Sequence, residues 1–219
     1  MTRRLGLVSQ KGGVGKSTLA RLIAREFAEC GWRVAIADLD TAQITSTEWA
    51  LRRSRAGRLP SISVAPARSV REVLSKNGET DLLIFDAPPH SMQGTTAIAQ
   101  ASNLVVLPTG LSLDDLRPTV LLAHELAGAG IPSEQIAIAL CRVGDRTREI
   151  EEARDYVASA GYHVLSGSLP ERTAYRRIAD QGGALTEVLF PTLRERAEEL
   201  AASIAARLMA VTADEMEVA

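Results

Sequence analysis

Short apolar runs rich in β-branched residues alternate along the chain with longer stretches of helical period. The runs at 4–10 (RLGLVSQ), 33–38 (RVAIAD), 61–66 (SISVAP), 81–86 (DLLIFD), 103–108 (NLVVLP) and 135–140 (QIAIAL) read as strands. Most are apolar at successive positions rather than at every other one, as expected of strands covered on both faces. Between them, 16–29, 43–56, 68–76, 112–128 and 146–160 carry helical spacing. Strands alternating with helices predict an α/β fold: a doubly wound, mostly parallel sheet with helices on both faces.

Glycine and proline punctuate this pattern where helices should stop and start. Gly31 follows the first helical stretch as a C′ glycine would, and Gly130 does the same ahead of Pro132. Pro191 suits the first turn of a last helix, which the apolar spacing carries to about Met209. Beyond it, VTADEMEVA is acidic and aperiodic, so a frayed, disordered tail is expected over 211–219 after a single domain over 1–210. No internal repeat or low-complexity linker interrupts the chain.

Composition narrows the partners only slightly. With 46% hydrophobic and 24% charged residues, the 219-residue chain has the balance of a soluble globular protein. A net charge of −2 disfavours a globally basic nucleic-acid binder while leaving room for a local basic patch. Cys30 and Cys141 are far apart and show no C-x-x-C spacing, so neither a disulfide framework nor a zinc or iron–sulfur site is suggested, and a reducing cytoplasm fits. The N-terminus turns polar at Ser9 and Gln10, too soon for a secretory signal, and no apolar run is long enough for an integral membrane segment.

The candidate chemistry begins with LVSQKGGVGKSTLA, residues 7–20. The ordinary phosphate-cradling pattern is G-x-x-x-x-G-K-S/T, but its first glycine falls on Gln10 here. The loop instead carries two cations, Lys11 and Lys16, around Gly12, Gly13, Val14 and Gly15. Glycines let backbone N–H groups turn toward an anion, and the N-terminus of the following helix adds partial positive charge. Lys16 then suits the β and γ phosphates of ATP, Ser17 suits Mg²⁺, and Thr18 follows in the same turn. Asp40, in ADLDTAQ, stands at the end of the second strand on the ligand-binding edge of such a sheet, where it either serves the site or caps the next helix. In TDLLIFDAPPH an apolar strand ends in Asp86, a carboxylate suited to the Mg²⁺ hydration shell. Pro88 and Pro89 stiffen the turn beyond it, and His90, beside them, is given no catalytic role.

QKGGVGKST resembles the deviant Walker A motif of the ParA/MinD family of ATPases. The resemblance implies that Lys11 is the signature lysine, reaching across an ATP-bound homodimer to the partner's phosphates as a clamp on transferring charge. ADLDTAQ is similar to the family's D-x-D-P-Q, in which the second aspartate, here Asp40, positions or activates the attacking water. Thr41-Ala42 replaces a single proline and leaves Gln43 one residue late. TDLLIFD resembles the Walker B strand, with the turn after Asp86 as a γ-phosphate-sensing switch. LCRVGDR and GSLPERTAYRRIADQGG resemble the base-binding segments, which assigns Arg142 and the backbone at Leu169 and Pro170 to the adenine.

The chain starts close to the loop, so no helix-turn-helix is expected ahead of it. With Trp49 in STEWA and the PTGLSLDDL turn, it resembles short, plasmid-type ParF-like ParA proteins. The resemblance implies non-specific DNA binding with ATP, a nucleoid-associated cytoplasmic location, and a ParB-like activator of slow hydrolysis that partitions plasmid, chromosome or other cargo. Candidate DNA contacts are Arg146 and Arg148, then Arg172, Arg176 and Arg177, ahead of Arg52, Arg53, Arg55 and Arg58; solvated helix faces balanced by Glu149, Glu151 and Glu152 are the plainer alternative. A MinD-like membrane switch would need a basic amphipathic C-terminus, whereas this one carries Glu195, Glu198, Glu199, Asp214, Glu215 and Glu217. A metabolic ATP-dependent ligase on the same scaffold stays open, with Lys11 and STEWA against it.

Overall fold

A computed structural model describes residues 2–76, 78–89 and 92–217. His90 lies outside the described residues. The strands are β1 (Arg3–Leu7), β2 (Val34–Asp38), β3 (Ser63–Pro66), β4 (Leu82–Asp86), β5 (Leu104–Thr109), β6 (Ile136–Val143), β7 (His163–Val164) and β8 (Leu169–Pro170). The helices are α1 (Lys16–Glu29), α2 (Thr45–Arg55), α3 (Val70–Lys76), α4 (Met92–Ala101), α5 (Leu113–Gly128), α6 (Thr147–Ser159), α7 (Thr173–Asp180) and α8 (Pro191–Glu217). The strands pair in the order β3-β2-β4-β1-β5-β6-β7, with β8 beside β6 and every described pairing parallel.

Side chains of successive strand residues go to opposite faces, which explains the unbroken apolar runs. Leu82, Ile84, Leu104 and Val106 join the cluster under α1, α2 and α8, while Leu83, Phe85, Val105 and Leu107 join the one under α4, α5 and α6. Leu5, Leu22, Ile84, Leu104, Leu126 and Ile138 in these clusters are fully buried. Burial of one such side chain contributes about 1.5–3 kcal/mol, so the two layers together fix the sheet register.

Strand order reverses direction at β1: the chain leaves it through α1 toward β2 on one side, and β5 lies on its other side. In a parallel sheet this switch point opens a crevice beyond the carboxyl ends of the strands. Leu7, Asp38 and Asp86 end three adjacent strands in register there.

The elements depart from the sequence pattern at several places. α4 and α7 were not among the expected helices, and α2 begins at Thr45 rather than 43. α8 continues past Met209 to Glu217, because Leu208 and Val211 prolong its buried stripe and the Thr212 hydroxyl donates to the Leu208 carbonyl. Among the described residues no helix is long and apolar enough to cross a membrane.

Candidate nucleotide site

The loop from Val8 to Gly15 links β1 to the first turn of α1. Gly13 and Gly15 hold φ of 75° and 117°, and a Cβ on Gly15 would lie 3.5 Å from the Cys141 side chain. Only glycine adopts that backbone freely, so these two positions let the loop turn sharply between β1 and α1. Gly12, Gly13, Gly15, Lys16, Ser17, Thr18 and Asp40 line one cleft of about 350 Å³.

Lys16 is buried, and its Nζ donates to the Lys11 carbonyl at 3.2 Å. Burial pulls its pKa below the ordinary lysine value, while Asp86 and Asp40 act in the opposite direction. An ammonium shielded from water and close to its carboxylates is primed for a polyphosphate, which would add charge-assisted hydrogen bonds. Lys11 behaves differently. Its Nζ lies 2.7 Å from Asp115 Oδ1, and this contact is the main cause of a lowered Asp115 pKa. The two lysines, five residues apart, thus serve opposite sides of the loop.

On the metal side of the cleft, Asp38 and Asp86 end neighbouring strands and are paired in register. Both are buried, and each has one oxygen, Oδ1, with no hydrogen-bond partner. Burial raises the Asp86 pKa to about 6; the Ser46 and Ser17 hydroxyls act in the opposite direction, and Asp38 adds to the shift. A buried, unpartnered carboxylate oxygen is costly unless a cation or donor arrives. Thr45 Oγ1 donates to Ser17 Oγ at 3.2 Å, so the serine hydroxyl lies at the same junction. Oxygen donors of this kind fit Mg²⁺, which keeps several waters and accepts few protein ligands.

Asp38 was not singled out from the sequence, yet it does the capping considered for Asp40. Its Oδ2 accepts the N–H groups of Ser46 and Thr47, at 3.1 and 2.9 Å, and the Thr47 hydroxyl. Those N–H groups are first-turn donors of α2, with no partner inside the helix. Asp40 instead accepts the Gln43 N–H through Oδ1 at 3.1 Å and faces the cleft. The Thr41-Ala42 departure is absorbed in this turn, where Ile44 takes a left-handed φ of 41°. Gln43 lines the cleft despite standing one residue late.

Arg142, one residue before the end of β6, has a left-handed φ of 57°, donates to the Gly13 carbonyl and pairs with Glu171 at 3.2 Å. It lines a second groove with Val14, Gly144 and Glu171. Leu169 and Pro170 are buried in β8 beside β6, so their side chains do not line that groove.

The candidate DNA arginines are not gathered into a free cationic face. Arg146 pairs with Glu149, Arg148 with Glu152, Arg172 with Asp145 and Arg176 with Glu171. Among the described residues, Arg177 is the one of these five without an ion pair. Arg53 is excluded as a DNA contact because it is 2% exposed, bonded to Glu187 and to the carbonyls of Leu59, Pro60 and Gly182.

With this geometry in view, residues 5–185 match the family model described as the CobQ/CobB/MinD/ParA nucleotide-binding domain. The chain belongs to that family. Among its curated relatives is the chromosome partitioning protein ParA of Caulobacter vibrioides, 24% identical, with 77% of this chain and 80% of that protein covered. The fold is shared with MinD of Pyrococcus horikoshii in complex with Mg-ADP, at a TM-score of 0.73 and 20% identity, covering 93% of this chain and 96% of that one. A variant of Cyanothece McdA in complex with ATP gives a TM-score of 0.70 at 16% identity over 93% and 96% of the two chains. In this ParA/MinD-type protein the loop 8–15 falls inside the matched segment.

Proposed function

We propose that the chain is a ParA-type ATPase that binds MgATP, closes into a sandwich homodimer, and uses that switch to hold non-specific DNA and position plasmid, chromosome or other cargo. The observation that carries this reading is the division of labour between the two loop lysines. Lys16 is buried in the cleft, whereas Lys11 is turned out of it onto Asp115. Once released from Asp115, a cation turned away from its own phosphates would reach a partner's, where it would offset charge developing in phosphoryl transfer.

Lys16 and the loop N–H groups would hold the phosphates, Ser17 and Asp86 the Mg²⁺, and Asp40 the attacking water. Mg²⁺, when bound, neutralises charge on the phosphate oxygens. Arg142 and the backbone at Leu169 and Pro170 would flank the adenine. Slow hydrolysis follows if Lys11 must leave Asp115 before the site is complete, and a ParB-like activator would favour that exchange. The protein is then cytoplasmic and nucleoid-associated.

Binding to random-sequence duplex DNA with ATP, with ADP and without nucleotide, at two salt concentrations, tests the cargo-carrying half of the reading. Salt-sensitive binding with ATP alone supports it, since phosphate contacts release counterions. Binding in no state, with ATP still bound, would exclude DNA as the track. That second outcome fits the surface ion pairs, in which four of the five candidate arginines each face a carboxylate. It would favour positioning on a protein scaffold.

A further inference from the structure

Arg21 and Ser46, beside the strand-end carboxylates of the cleft, have no role in nucleotide binding as described so far. Arg21 lies one helical turn beyond Ser17 on α1, is partly buried and lines the cleft, with its guanidinium 5.9 Å from the centroid of the Trp49 ring. Its Nε donates to Ser46 Oγ at 3.3 Å. Ser46, fully buried, touches both strand-end carboxylates: its hydroxyl donates to Asp86 Oδ2 at 2.7 Å and its N–H to Asp38 Oδ2 at 3.1 Å.

The polarity of this chain is fixed. A guanidinium donates and cannot accept, so the Ser46 oxygen must receive the Arg21 N–H, and its single proton is left for Asp86. Oδ2 of both carboxylates is thereby engaged, and Oδ1 of both is left buried and unpartnered. Without Ser46, either oxygen of Asp86 could turn toward any donor. With it, one oxygen is committed to the protein.

We propose that Arg21 and Ser46 are positioning residues that orient Asp86, and through Ser46 also Asp38, so that one oxygen of each stays free for the Mg²⁺ of the bound nucleotide. This rests on the nucleotide-binding reading and adds to it two residues outside the loop, the Walker B strand and the signature lysine. It also makes the first turn of α2, through Ser46, part of the metal site.

The sign of the Arg21 effect separates positioning from simple charge. A cation beside two carboxylates repels Mg²⁺, so if Arg21 acted by charge alone its removal would tighten metal binding. If it acts by holding Ser46, its removal weakens metal binding.

The test is binding of a fluorescent ATP analogue (mant-ATP) to the full chain, titrated with MgCl₂ and repeated in EDTA, for wild type, Ser46→Ala, Arg21→Met and the double variant. Losing a hydrogen bond to an ionised group should raise the half-saturating Mg²⁺ by about 10-fold in Ser46→Ala. Arg21→Met should shift it in the same direction, and the double variant should equal Ser46→Ala, because one chain of bonds cannot be broken twice. Binding in EDTA, carried by the loop, should be alike in wild type and Ser46→Ala, whose changed side chain does not line the cleft. Unchanged Mg²⁺ dependence in Ser46→Ala, tighter Mg²⁺ binding in Arg21→Met, additive shifts, or an equal loss in EDTA for Ser46→Ala would each overturn the relay. A wild type that shows no Mg²⁺-dependent nucleotide binding would instead overturn the nucleotide reading beneath it.

Discussion

The ammonium of Lys11 and the carboxylate of Asp115 meet at 2.7 Å, joining the nucleotide loop to the first turn of α5. Both side chains are partly exposed, at 42% and 28%, so the pair contributes at most about 1 kcal/mol to stability. Its weight lies in what it withholds. As long as Asp115 keeps Lys11, that cation is not available elsewhere.

Asp115→Asn should therefore leave the melting temperature nearly unchanged while lowering the concentration at which MgATP drives self-association, by up to about 5-fold for about 1 kcal/mol. Sedimentation velocity across a dilution series reads both species. A weaker dimer in this variant would mean that Asp115 assists Lys11 rather than restraining it.

Lys16→Ala and Asp40→Ala should fail in different ways. Removing Lys16 takes the buried cation from the phosphates, and nucleotide affinity should fall by about 100-fold in a fluorescence titration. Removing Asp40 should leave affinity near wild type and reduce turnover by about 100-fold, the lower range for loss of a group acting on a proton in the transition state. Turnover at the wild-type rate in Asp40→Ala would remove that residue from the water's path.

Arg53 anchors the far end of α2. Its guanidinium reaches Glu187 at 2.6 Å and three carbonyls, and Gly182 approaches so closely that a Cβ there would fall 2.2 Å from the Arg53 nitrogen. Arg53→Ala strands the mostly buried Glu187 and should cost about 3–5 kcal/mol in denaturant unfolding. A loss below about 1 kcal/mol would show that Glu187 finds another partner, Arg58 being the nearest.

The two thiols should separate by reactivity. Burial pushes the Cys141 pKa up to about 12, so thiolate is scarce there at any ordinary pH, whereas Cys30 is exposed. A group raised this far becomes reactive only as pH climbs toward 12 or the fold opens. At pH 8 a thiol reagent should titrate one cysteine in the native protein and two in denaturant. Two fast thiols in the native protein would contradict the packing of Cys141 beneath Gly15.

Much of this architecture is local, and local features are legible in a sequence. The strands that end in Asp38 and Asp86, the helix starting at Lys16 and the glycine after α1 follow from short-range period and backbone chemistry. α4, whose segment MQGTTAIAQA mixes small and polar residues, offers no strong amphipathic stripe and is held by the sheet it covers. The burial of Arg53 depends on Glu187 and Gly182, far along the chain, so a run of arginines at 52–58 looks uniformly solvated when read alone. Asp38 was visible as the first acid of DLD, but its task depends on α2 starting at Thr45, which fixes the N–H groups it receives. The ion pair of Arg172 likewise crosses from the residue before α7 to Asp145, in the turn after β6.

The most direct test of the central claim is the association state of the wild type and Lys11→Ala in MgATP, in MgADP and without nucleotide, by sedimentation velocity. The account predicts a wild-type dimer in MgATP alone, and a Lys11→Ala protein that binds ATP yet stays monomeric. A Lys11→Ala protein that dimerises with MgATP as the wild type does would contradict it.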